Sequence, residues 1–94
     1  MSIALTDHLK IADEILSSPM DKETVILNLK TGIYYGLDSV GTRFFELLKS
    51  TSDLGEVHRQ LLSEFDVSAD RLEADLLALS REMHAKGILV VSKP

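Results

Sequence analysis

The chain has 94 residues, with 10 Lys and Arg against 15 Asp and Glu for a net charge of -5, and it has no cysteine. This length holds one hydrophobic core and hence one domain, residues 1–94, and 45% hydrophobic with 27% charged residues is the composition of an ordinary folded domain. The missing Cys excludes disulfide frameworks, zinc ribbons, iron–sulfur clusters and thiol nucleophiles, and fits a reducing, cytoplasmic setting.

His8 to Leu16 predicts a first strand, with Leu9, Ile11 and Ile15 on alternate positions and Asp13 interrupting the apolar face. Ser17-Ser18-Pro19-Met20-Asp21-Lys22 reads as a loop, because Pro19 supplies no backbone donor and Ser and Asp side chains compete for local hydrogen bonds. Thr24 to Leu29 and Ile33 to Leu37 are strands rich in β-branched, aromatic and large apolar residues. Lys30-Thr31-Gly32 joins them as a three-residue hairpin with Gly32 in the left-handed position. That loop pairs Leu29 with Ile33, Leu27 with Tyr35 and Val25 with Leu37, which puts all six on the core face. Thr24, Ile26, Asn28, Tyr34 and Gly36 then form the wetter face.

From Val40 the period becomes helical. Val40, Phe44, Leu47 and Leu48 form one stripe, with Asp38 or Ser39 to cap its start. Leu54, Val57, Leu61, Leu62 and Phe65 form a second stripe. A third helix runs from an N-cap at Ser68 through Leu72, Leu76, Leu79 and Met83 to Gly87, the residue type that ends helices in the left-handed conformation. Ile88 to Val91 is a short extended tail that packs on the core. The sum is an α+β domain: a three-stranded antiparallel sheet, three helices and a short extended C-terminal segment.

Reactive constellations are missing from this pattern. Gly36 to Arg43 leads from a strand through two glycines into a helix, but the Lys of a phosphate-binding loop is absent and Asp38 stands in the anion position. His8, His58 and His84 lack metal-ligand spacing, so no metal and no other cofactor is expected. Lys49, Arg59, Arg71, Arg81, Lys86 and Lys93 are scattered, and with a negative net charge they make no stripe for a phosphate backbone. No basic, apolar leader segment opens the chain, and no stretch approaches the ~18 apolar residues of a membrane span. The chain reads as non-catalytic, with neither nucleic acid nor membrane as a partner.

A surface remains. The strand Ile33 to Leu37 ends the sheet without Lys, Pro or an inward charge, the usual devices that block a sheet edge. Such an edge beside an amphipathic helix accepts an added peptide strand. Tyr35 and Ile33, with Leu72, Leu76 and Leu79 of the third helix, are placed to line its side-chain pockets. For Leu76 and Leu79 the plain alternative is a core role, because regular helical stripes are normally core.

The run Val25-Ile26-Leu27-Asn28-Leu29-Lys30-Thr31-Gly32-Ile33-Tyr34-Tyr35-Gly36-Leu37-Asp38-Ser39-Val40-Gly41 resembles the signature of the PqqD-like family. Phe44-Phe45-Glu46-Leu47-Leu48, Glu73-Ala74-Asp75-Leu76 and Met83-His84-Ala85-Lys86-Gly87-Ile88-Leu89 extend the likeness over about Leu16 to Val91. Asp38 stands where the family usually has Asn and Phe45 where it has Trp, changes that keep a helix cap and an aromatic plug. The loop Ser17 to Lys22 is longer than the family's.

The resemblance implies a stand-alone RiPP recognition element, a winged-helix-like domain that captures the leader of a ribosomal precursor peptide and presents it to a leader peptidase or another modifying enzyme. Size and sequence character lean toward a lasso-peptide pathway. In that family the leader adds beside the third strand and lies against the third helix. Carried over, the contact set is Ile33, Tyr34, Tyr35 and Leu37 with Arg71, Leu72, Asp75, Leu76 and Leu79. Arg71 and Asp75, one turn apart, equally suit an intrahelical pair. Two other readings stay open: a winged-helix DNA-binding domain, which needs a basic recognition helix, and a homodimer that pairs the Ile33 to Leu37 edges.

Overall fold

The computed structural model describes residues 3–92; Met1, Ser2, Lys93 and Pro94, which belong to the expected domain 1–94, lie outside the described residues. Eight elements follow in chain order: β1 (His8–Ile11), β2 (Ile15–Met20), β3 (Glu23–Asn28), β4 (Ile33–Leu37), α1 (Ser39–Leu48), α2 (Leu54–Glu64), α3 (Ala69–Ala85) and β5 (Leu89–Ser92). The expected α+β architecture holds: β2, β3 and β4 form a three-stranded antiparallel sheet in that order, followed by three helices.

Two details of the first third differ from the sequence reading. The predicted strand His8 to Leu16 is split by a turn at Asp13 and Glu14, and its first half pairs with the C-terminal segment, Leu9 opposite Val91 and Ile11 opposite Leu89. Its second half continues through the predicted loop as β2. Pro19 is tolerated because β2 is an edge strand. A two-residue turn, Asp21-Lys22, then leads into β3, with Asp21 at φ 62°, a conformation Asp adopts more readily than most residues.

The β3–β4 register is shifted by one residue. Asn28 faces Ile33, Ile26 faces Tyr35 and Thr24 faces Leu37, so the connecting loop has four residues, Leu29 to Gly32. A one-residue slip exchanges the faces of a strand. Thr24, Ile26 and Asn28 are therefore buried, while Val25, Leu27 and Leu29 point outward. Asn28 explains the shift. Its Oδ1 accepts from the Lys30 and Thr31 amides at 2.9 and 3.3 Å, its Nδ2 donates to the Lys86 carbonyl at 3.2 Å, and its own carbonyl accepts from the Gly32 amide at 2.7 Å. A buried amide so fully partnered is compatible with the core, and it ties the hairpin to the end of α3. Gly32 has the expected left-handed φ of 74°.

The helices start and stop where their caps predict. Asp38 Oδ1 accepts from the Gly41 amide at 2.8 Å, Asp53 Oδ1 from the Gly55 amide at 3.0 Å, and Ser68 Oγ from the Arg71 amide at 3.3 Å. Gly87, at φ 74°, ends α3, and a Cβ there would sit 3.2 Å from Asn28 Nδ2, so two constraints select glycine. Phe44, Ile26, Leu37, Leu54, Leu61 and Leu76 are among the fully or nearly fully buried residues of one continuous core. Ile88 and Leu89 of the C-terminal segment join it, as expected.

Candidate functional site: the groove between β4 and α3

Strand β4 ends the sheet, and the direction of its backbone groups follows from two hydrogen bonds. The Leu29 amide donates to the Glu14 carbonyl on the β2 side of β3, whereas the Asn28 carbonyl accepts from Gly32 on the β4 side. Backbone polarity alternates along an antiparallel strand. Asn28, Ile26 and Thr24 thus bond toward β4, and their partners Ile33, Tyr35 and Leu37 bond back. The N–H and C=O groups of Tyr34 and Gly36 are left pointing outward, and among the described residues no backbone bond from another element reaches them.

Beside this edge lies a groove of about 340 Å³, walled by Tyr35, Leu37, Asp38, Val40, Leu76 and Leu79, with Asp75 and the bare backbone of Gly36 and Gly41 completing it. Each wall has a local cause. Tyr35 and Leu37 are i, i+2 neighbours on the inner face of β4. Asp75 and Leu79 are i, i+4 neighbours along α3, with Leu76 beside them. Gly41 admits close approach, since a Cβ would meet Leu37 Cδ2 at 3.1 Å and Asp38 Oδ1 at 3.3 Å. At the other end of β4, Ile33 borders a larger hollow of about 640 Å³ formed with Ile15, Asn28, Lys86 and Val90.

Of the nine residues carried over from the family, Tyr35, Leu37, Asp75, Leu76 and Leu79 meet at the groove. Leu37 and Leu76 are buried, so they are core and groove floor at once, while Tyr35 and Leu79 are half-buried. Leu72 is buried in the core and does not line the groove. Arg71 is exposed, its Nε 3.9 Å from Asp75 Oδ2, the intrahelical pair foreseen for it. Ile33 and Tyr34 are exposed, and Tyr34 lies on the outward face of the sheet, opposite to Tyr35.

Four residues at or beside the groove were not singled out as contacts: Asp38, Val40, Glu82 and Lys86. Glu82 and Lys86 follow Asp75 and Leu79 at helical spacing, a signal present in the sequence. They act on Tyr35. The Lys86 ammonium lies 5.7 Å from the centre of the Tyr35 ring. Burial, then the neighbouring Glu82 carboxylate, then the charge of Asp38, push the Tyr35 phenol up to about 12. Tyr35 is therefore a neutral hydrogen-bond donor throughout the neutral range.

Asp38, His8 and His58 have structural partners. Asp38 fills the N-terminus of α1, where a phosphate would have to sit. His8 Nδ1 lies 3.0 Å from Ser52 Oγ, and His58 Nε2 lies 3.0 Å from the Ala69 carbonyl, to which it can only donate. Among the described residues no three His, Asp or Glu side chains gather to hold a metal, and no helix is long and apolar enough to cross a membrane.

The sequence profile described as Coenzyme PQQ synthesis protein D (PqqD) matches residues 23–89, from β3 to the start of β5. The chain belongs to the PqqD family. Two solved structures resemble this PqqD-family chain over most of its length. One, "TbiB1 in Complex with the TbiA(beta) Leader Peptide", is 34% identical with a TM-score of 0.83 and covers 90% of this chain and 99% of its own. The other, "Lasso peptide synthetase B1 complexed with the leader peptide", is 25% identical with a TM-score of 0.76 and covers 88% and 98%. No curated protein sequence matches the chain.

Proposed function

We propose that this chain is a single, non-catalytic, cytoplasmic domain that binds the leader of a ribosomal precursor peptide and delivers it to a leader peptidase or other modifying enzyme of a lasso-peptide pathway. The open β4 edge above an apolar groove carries this reading. The leader adds as a strand on the outward groups of Tyr34 and Gly36 and sets apolar side chains between Tyr35, Leu37, Leu76 and Leu79. The two similar structures, both solved with leader peptides, support it.

Energetics explain why edge and groove are both needed. Four backbone hydrogen bonds contribute roughly 0.5–1.5 kcal/mol each, against an association cost of about 4–15 kcal/mol. Two or three buried apolar anchors at ~1.5–3 kcal/mol each contribute more than the backbone bonds do, so neither edge nor groove suffices alone. The alternative DNA-binding reading has little support, since α3 carries Asp70, Glu73, Asp75 and Glu82 against Arg71 and Arg81, with Lys86 just past its end.

The test is a titration of the isotope-labelled protein with the synthetic leader of the precursor encoded beside its gene. Amide shifts concentrated in β4 and in Asp75 to Leu79 are the expected result. Spectra that stay unchanged at millimolar peptide would overturn the proposal.

A further inference from the structure

The two walls of the leader groove are not each other's main packing partners, because β4 packs on β3 and α1 while α3 packs on α2 and β5. Their spacing is therefore set from elsewhere. Among the described residues one hydrogen bond runs from β3 to the end of α3, that of Asn28 Nδ2 to the Lys86 carbonyl at 3.2 Å. Asn28 is 5% exposed and stands opposite Ile33, two residues along the strands from the pairing of Ile26 with Tyr35. The end of α3 comes close here, since a Cβ at Gly87 would stand 3.2 Å from the same Nδ2. From the backbone that Asn28 holds, the Lys86 side chain brings its ammonium to 5.7 Å from the Tyr35 ring centre. At the Leu37 end Asp38 bonds the Gly41 amide and Asp75 lies beside Arg71 of its own helix, so neither carboxylate ties the two walls together.

We propose that Asn28 is a positioning residue for leader capture, a clasp that holds α3 at a fixed distance from β4 and steadies Tyr35 through Lys86; the inference rests on the leader-binding reading above. A side-chain amide suits this role because it carries both an acceptor and donors. Its Oδ1 is taken by the Lys30 and Thr31 amides, which shape the hairpin, and its Nδ2 is left to reach α3. A carbonyl that loses its buried donor must find another partner, so without the clasp the Lys86 backbone turns toward water. The groove then widens from the hairpin end, and a side chain seated between Tyr35 and Leu79 loses contact with one wall. Capture would have to order the walls before gaining from them.

The experiment separates the clasp from the hairpin. Asn28→Asp keeps an acceptor for the Lys30 and Thr31 amides, but in neutral solution its carboxylate opposes the Lys86 carbonyl instead of donating to it. Protonation returns a donor, and burial beside a carbonyl raises the pH at which this happens. The charged and titratable groups around it are Asp13, Glu14, Lys30 and Lys86 of the adjoining hollow and His84 in the last turn of α3. All five are common to both proteins, so the ratio of the two affinities isolates the introduced carboxyl. The probe is the rhodamine-labelled synthetic leader of the precursor encoded beside this gene, titrated by anisotropy with circular dichroism recorded at each pH. At about pH 8 the folded variant is expected to bind roughly ten-fold more weakly than the wild type, and at about pH 5.5 the gap should close to within ~two-fold. A folded variant that matches the wild type at both pH values would overturn the clasp, and so would a loss that acid does not reduce. Should the variant fail to fold, the wild type decides: its Asn28 side-chain amide protons should stay protected from exchange in the free and the leader-bound protein, and fast exchange in the complex would overturn the proposal. A wild type that binds no leader overturns the leader reading, and the clasp with it.

Discussion

Along the β2 edge of the sheet the outward-pointing backbone belongs to Ser17 and Pro19, whereas along the β4 edge it belongs to Tyr34 and Gly36. Pro19 has no N–H to offer, and the Lys49 ammonium reaches to 3.5 Å from Ser17 Oγ. A proline and a nearby lysine are two of the devices by which proteins blunt a sheet edge. No proline interrupts β4, its neighbour Lys86 lies over the Tyr35 ring, and the bare Gly36 leaves room beside the strand, with nothing within 4 Å of where a Cβ would stand. One small sheet thus has a closed and an open border. Openness is therefore a local property of β4, whose groove has the apolar walls Leu37, Val40, Leu76 and Leu79, whereas the hollow of about 300 Å³ beside β2 is lined mainly by polar residues, Ser17, Thr24, Thr42, Glu46 and Lys49 among them.

The largest expected effect tests whether the open edge depends on the core behind it. Leu76 is at once core and groove floor, so Leu76→Ala should destabilise the fold by about 2–5 kcal/mol in urea unfolding. Leu79, half-buried on the groove wall, should lose markedly less stability as Leu79→Ala while still weakening the leader. Equal stability losses at both positions would mean that the groove is merely a continuation of the core.

Next in size is a change that makes the β4 edge resemble the β2 edge. Gly36→Pro removes an N–H that points away from β3, so no ladder bond is lost and the unfolding midpoint should stay near that of the parent chain. The leader would lose one partner and bury a carbonyl unpaired, a penalty of about 1–3 kcal/mol. Fluorescence anisotropy should then report a ~10- to 100-fold weaker complex. Full affinity in this variant would show that the leader does not pair with β4.

Much of this arrangement is legible in the sequence, for identifiable reasons. Caps at Asp38 and Ser68, the stops at Gly32 and Gly87 and the helical stripes are local signals, and each stands where its chemistry places it. The face of β3 was misread because polarity pointed the wrong way: Asn28 and Thr24 are buried while Val25 and Leu27 are turned outward. Asn28 belongs in the core only because Lys86, 58 residues away, offers its carbonyl. Likewise Ser17 to Met20 forms a strand by pairing with β3, with the help of edge geometry that tolerates Pro19. Long-range partners decide such cases, and no local pattern encodes them.

A smaller effect concerns the groove wall itself. Because the folded protein holds the Tyr35 proton more tightly than the unfolded chain, with a pKa of about 12 against 10.0, its contribution to stability is whole below pH 10 and is lost as pH rises toward 12. Unfolding followed across that window should show alkaline destabilisation that Tyr35→Phe reduces. An unaltered pH profile in the variant would place the phenol away from Glu82.

The smallest effect is the strictest check on the two borders. Pro19→Ala restores an N–H to the β2 edge but leaves the hollow beside it with its largely polar lining, and Lys49 remains beside Ser17. Stability should change by no more than ~0.5 kcal/mol, as for most surface substitutions, and leader affinity should hold within ~two-fold. Calorimetry should still count one leader per chain. A second leader bound by this variant would mean that a free backbone row suffices for capture, and the groove under β4 would lose its role as the source of affinity. A stoichiometry that stays at one assigns the selection of β4 to its side-chain floor, since both edges would then offer donors and only one would hold peptide.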